Sequence, residues 1–226
     1  MIQSRLNTLY EKNWKELNTV LPKDRGISNP LFIRVPEAYE KAELKLMVIG
    51  KETNSWWSDL GDPTKPTTPE KLVDCYRDFN LGEKYVKSPF WWAAHQLQSK
   101  LSAVVPPFGF VWSNLFICDQ NKRTPENDIA DKLRTMSVLQ AEIDILQPHA
   151  IVFFTGWNPY DYTIDRLFQG NDKIPINGDG KLLAQLSHRG LPISSFRTYH
   201  PKYLRLKKQM FILDVIAEKI MREREN

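Results

Sequence analysis

The amino-acid sequence predicts a three-layer α/β sandwich built on a mostly parallel, four-stranded central sheet. The first observation is a set of four continuous apolar runs, "LKLMVIG" (44–50), "FVWSNLFIC" (110–118), "AIVFFTG" (150–156) and "LPISSFRTY" (191–199). Unbroken rather than alternating hydrophobicity is what a strand covered on both faces requires. The second is that segments of helical periodicity separate these runs, the pattern of strand–helix–strand units and parallel pairing. The third is size: 226 residues, 42% of them hydrophobic, suffice for one core.

The elements follow in chain order. An amphipathic helix is expected over residues 2–20, then a loop containing Pro and Gly to about 38. Residues 1–43 are therefore read as an appendage to a single domain spanning 1–226. The first strand ends at Gly50 and empties into a turn. Helices are expected near 88–104, 128–146 and 159–168 between the later strands, and a last helix over about 202–223. Pro201 ends the final strand by removing a backbone donor and can open that helix. "NGDGK" (177–181) contains the residue types of a phosphate loop but neither its length nor its Gly-Lys-Ser/Thr ending, and reads as a turn.

Composition excludes several classes. Cys75 and Cys118 are too few for a disulfide framework and sit among apolar neighbours, which suits reduced, buried thiols in the cytoplasm. The N-terminal stretch "MIQSRLNTLYEKNWKEL" is charged throughout, and no apolar run approaches the length of a membrane span. No membrane association is expected. The four histidines show no metal-ligand spacing, so neither metal nor cofactor is implied. A net charge of +4 is compatible with a polyanionic partner without specifying one, and a monomer is expected.

In open parallel sheets ligands bind outside the carboxyl ends of the strands. The segments to inspect are therefore "GKETNSWW", "DQNKRTP", "TGWNPYD" and "HPKYLRLKK". Glu52 is either a carboxylate available to polarise water and balance a developing cation, or a solvated loop residue. Asn114, inside an apolar strand, is a structural hydrogen-bonder or a reader of a ligand edge. His200 can act as an acid, an electrophile or a corner residue. Trp56 and Trp57 either stack on a flat ligand or pack.

In their order along the chain, "VIGKETN", "SPFWW", "SNLFICDQNKRTPEN", "QPHAIVFFTG" and "TYHPKYLR" resemble the motifs of the uracil-DNA glycosylase superfamily over roughly residues 44–210. The second is the most specific: an Asn followed by hydrophobics, Cys and an Asn-Arg-x-Pro-like tail matches Asn114, "LFIC" and "NKRTP". The resemblance implies a uracil-DNA glycosylase-like fold and hydrolysis of the N-glycosidic bond of uracil or a related base in DNA. It casts Glu52 as the carboxylate facing the sugar and His200 as donor to the base carbonyl. Asn114 becomes the amide that reads the base, with Trp56 or Trp57 stacking on it. The corner after His200 then enters DNA, with Tyr203 and Leu204 as a wedge and Lys202, Arg205, Lys207 and Lys208 on phosphates. For Lys207 and Lys208 a solvated helix face is the competing reading.

The chain departs from the family at Glu52, where Asp or Asn is common, at Thr53, where proline is usual, and at Lys202, where serine is common, and it has Lys51 where a related branch carries Glu. The branch with the closest second motif often holds an iron–sulfur cluster on four cysteines, which two cannot supply. The alternatives are an enzyme of the same fold acting on nucleosides, nucleotides or another nucleobase-containing ligand, and a nucleic-acid-binding module without catalysis.

Overall fold

The computed structural model describes residues 1–225. Helices α1 (Ile2–Val20) and α2 (Glu37–Lys41) precede β1 (Leu46–Glu52), and α3 (Pro69–Phe79), a 3-10 segment (Asn80–Tyr85) and α4 (Pro89–Lys100) lead to β2 (Phe110–Phe116). Then come α5 (Asn127–Met136), α6 (Val138–Leu146), β3 (Ala150–Phe154), α7 (Tyr160–Leu167), β4 (Asp172–Pro175), β5 (Leu183–Ser187), β6 (Ser194–Thr198), α8 (Pro201–Leu206) and α9 (Ile212–Glu225).

The sheet is larger than expected and mixed. Its order is β2-β1-β3-β6-β5-β4. The four expected strands are its parallel part, β2-β1-β3-β6, and β4 and β5 extend it antiparallel from β6. The hairpin escaped the sequence because β4, "DKIP", is polar, mostly exposed and ends in proline, the composition of an edge strand and not of a core run. "NGDGK" lies in the turn between its two strands.

Strand alternation assigns the layers. Ser113 on β2 donates to the buried Glu142 of α6, whereas its neighbour Trp112 packs against Trp91 of α4 with centroids 4.8 Å apart, so helices cover both faces. The outer edge of β2 is closed by Tyr76 of α3, whose hydroxyl accepts from the Trp112 amide at 2.7 Å and donates to the Trp112 carbonyl at 3.0 Å. Helix α3 was missed although its start is written plainly: Thr68 caps it by accepting from the Lys71 amide, with Pro69 at the first helical position.

Residues 1–43 are part of the core and not an appendage. Leu6, Tyr10 and Leu17 line the inward face of α1 at full burial, with Phe32 and Ile33 beyond it. Two expected helices are each divided: 128–146 at Ser137, with φ 54°, and 202–223 around Lys208, with φ 55°. Left-handed residues end helices, and neither is a glycine that would have announced it. Among the described residues no helix is long and apolar enough to cross a membrane.

Candidate active site

The chain passes from β1 to β2 on one side and then to β3 on the other, so the carboxyl ends of β1 and β3 flank the topological switch point, where open α/β sheets bind ligands. Gly50, near the end of β1, pairs in register with Asn114 of β2. A Cβ at position 50 would lie 2.3 Å from Asn114 Oδ1 and 3.2 Å from a ring carbon of Phe90. Only glycine lets the amide and that ring approach over the strand. Asn114 is 1% exposed. Trp112 Nε1, a donor only, donates to its Oδ1 at 3.1 Å, which fixes which way the amide points. Its Nδ2 is buried with no hydrogen-bond partner in the protein.

His200 follows β6 and caps α8. Its Nδ1 accepts from the Lys202 amide at 3.2 Å, which in the neutral ring leaves the proton on Nε2. The ring lies nearly parallel to Phe90, centroids 6.0 Å apart and planes at 24°. Burial first, then the charges of Lys51 and Lys202, lower its pKa to about 4. His200 is thus a neutral donor at neutral pH.

Glu52 is the last residue of β1 and half-buried. Its carboxylate accepts from Thr124 Oγ1 at 3.0 Å and from Tyr160 Oη at 3.2 Å, donors from the segment after β2 and the start of α7. Burial raises its pKa, while the two hydroxyls and the Lys51 charge oppose that rise. The loop beyond it is clamped by the buried Asp119, a residue the sequence did not single out. Asp119 accepts from Thr53 Oγ1 and the Ser55 amide, each at 2.7 Å, and from the Lys122 amide at 2.8 Å. Asn114, Phe90 and His200 form one group, Glu52, Thr124 and Tyr160 a second, and the charge of Lys51 acts on both Glu52 and His200.

Neither Trp56 nor Trp57 is in ring contact with His200, and the expectation of a Leu204 wedge is corrected. Trp56 packs edge-on against Phe79 and Trp112, at 5.4 and 5.6 Å, as part of an interior aromatic cluster. Trp57 is exposed, with Lys71 over its ring. The aromatic ring beside His200 and Asn114 is instead Phe90, which stands within the quoted "SPFWW". Its signal was its place at the first turn of α4, after the Ser88 cap and Pro89, where a side chain reaches the strand ends. Leu204 is fully buried in the core and cannot serve as a wedge. Helix periodicity turns it inward and leaves Tyr203 and Leu206 outside, at 40% and 75% exposure.

Lys202, Arg205, Lys207 and Lys208 are all exposed. Arg205 lies over the Trp92 ring and Lys207 over Tyr203. Tyr203 packs on Tyr199 at 4.5 Å, and Lys181 covers Trp157 after β3. Cations and rings are thus interleaved along this side of the sheet edge. Among the described residues no group of three or more His, Cys, Asp or Glu side chains is arranged to hold a metal ion. No protein-family model matches the chain, and no curated protein matches it.

Proposed function

We propose that the protein is a DNA glycosylase of the uracil-DNA glycosylase type, hydrolysing the N-glycosidic bond of uracil or a related base. The observation that carries this reading is the buried Asn114 amide, which has a free Nδ2 donor and a remaining Oδ1 lone pair beside the Phe90 ring and the neutral His200. A flat base stacked on Phe90 would meet both a donor and an acceptor from one amide, as a uracil edge requires. His200 Nε2–H donates to the carbonyl that gains negative charge as the base departs, and its low pKa keeps it from becoming a cation first. Glu52, held by Thr124 and Tyr160, serves the sugar side, where it orients water and balances oxocarbenium charge.

The aromatic and basic surface around Tyr203, Lys202 and Lys207 suits a phosphate backbone and an opened base stack. The free thiols Cys75 and Cys118 suit a reducing, cytoplasmic setting. The test is base release from single-stranded and duplex oligonucleotides carrying uracil, hypoxanthine, xanthine or a thymine mismatch. Release from one of them is expected. Release from free nucleosides alone would select a nucleoside enzyme of the same fold, and binding without release a non-catalytic module.

A further inference from the structure

Beyond its charge acting on Glu52 and His200, Lys51 has no bond-making role in that excision chemistry, yet it stands between Gly50 and Glu52 at the end of β1, half-buried. Its Nζ lies 4.7 Å from the centroid of the Tyr160 ring, and the Tyr160 hydroxyl donates to Glu52. Among the described residues no carboxylate is within ion-pairing distance of this ammonium, and no hydrogen bond holds it. Burial, and then the neighbouring Lys202, shift its pKa below the ordinary lysine value against the opposing pull of Glu52. A half-buried amine near a second cation and a carboxylate, with no ion-pair partner, is an environment in which lysine can act as a nucleophile toward carbonyls.

We propose that Lys51 is the nucleophile of a second activity, cleavage of the DNA strand at abasic sites through an imine between its Nζ and C1′ of the ring-opened deoxyribose. The inference rests on the glycosylase reading, whose product is that sugar. The free amine adds to the C1′ aldehyde, and the carbinolamine loses water to give an iminium ion. Glu52 then takes a proton from C2′. The electron pair of that bond passes through the enamine and expels the phosphate from C3′, breaking the C3′–O bond. Water hydrolyses the remaining imine, releasing an unsaturated aldehyde and returning the amine. No electrons are gained or lost, so no oxidant or reductant is required.

The experiment incubates the full chain with duplex DNA carrying a preformed abasic site and sodium borohydride, which reduces the imine to a stable amine. A covalent protein–DNA adduct is expected, mapping by mass spectrometry to Lys51, with strand cleavage when borohydride is omitted. Lys51→Arg, which keeps the charge but supplies no free amine, should lose both while still binding the oligonucleotide. No adduct with the parent, or an adduct mapping to Lys202 or the N-terminal amine, overturns the proposal. Release of uracil, hypoxanthine, xanthine or mismatched thymine, measured in parallel, separates the two readings. Release without an adduct sinks the imine alone, and an adduct without release upholds the imine and sinks the glycosylase.

Discussion

A buried amide donor without a partner costs on the order of 1–3 kcal/mol, and Asn114 carries one in the group it forms with Phe90 and the neutral His200. Asn114→Asp keeps the acceptor that Trp112 needs but replaces the donor with a second acceptor oxygen and a negative charge that repels the base carbonyl, so it should depress base release and blur selection between uracil and other bases. Release rates on a panel of modified oligonucleotides would read both effects, and unchanged selectivity would return Asn114 to a structural role. Glu52→Gln keeps the bonds from Thr124 and Tyr160 but removes the charge. Single-turnover cleavage should slow by roughly 100-fold to 1,000-fold with binding retained. Full activity in that variant would reassign the carboxylate. His200 makes a third case, since its pKa of about 4 keeps it neutral through the physiological range. The rate should show no limb near pH 6.5 that disappears in His200→Gln. The positions of Glu52, Asn114 and His200 at the sheet were legible in the sequence because Glu52 and His200 follow apolar runs and Asn114 is an amide inside one. Asp119 was not, because a carboxylate spanning two loops leaves no local pattern, and for Phe90 the helix start after Ser88 and Pro89 was legible while its approach to Gly50 depends on packing across elements.

At the scale of elements, Glu142 ties three of them together. Buried in α6, it accepts from Ser113 of β2 and from Tyr10 of α1, and the Tyr10 hydroxyl in turn accepts from the Ile33 amide. Burial raises its pKa from 4.5 to about 7, opposed by the two hydroxyl donors. The folded state therefore holds this proton after the unfolded chain has released it. The contribution is fully present below pH 4.5 and is lost as pH rises through about 7. His200 has the opposite sign: with its pKa lowered from 6.5 to about 4, it removes stability as pH falls through that window. The two windows overlap between pH 4.5 and 6.5 with opposite signs, so denaturant midpoints of the parent should change little there, whereas Glu142→Gln should uncover the His200 slope, its midpoint falling as pH falls from 6.5 to about 4. A Glu142→Gln midpoint as flat as the parent's over that range would place neither group at the origin of the pH dependence. The parallel strands were legible because burial on both faces writes an unbroken apolar run. The β4–β5 hairpin and the helix breaks at Ser137 and Lys208 were not, since an exposed edge needs no hydrophobic signature and a left-handed serine or lysine has none.

For the whole molecule, the sheet order positions the strand ends and the surface beyond them decides what can approach. The net charge of +4 is small, so binding of a polyanion depends on where cations gather rather than on their total. They gather after β6: Lys202, Arg205, Lys207 and Lys208 are exposed on α8 and the turn that follows, beside the Tyr199–Tyr203 pair. If these side chains grip phosphates, affinity for duplex DNA falls as salt rises, because each contact releases condensed counterions. Each lost contact then reduces the slope of log affinity against log salt by roughly 0.9. Lys207→Ala combined with Lys208→Ala removes two candidates from a turn outside the core and should lower the slope by roughly 1.8 while leaving the thermal midpoint unchanged. Tyr203→Ala, by contrast, should weaken duplex binding without altering the slope, because a ring that fills an opened stack neutralises no phosphate. Fluorescence titrations at several salt concentrations distinguish the two. A double-lysine variant with the parent's slope would make these lysines a solvated face and move the phosphate path to Lys181 and Lys202.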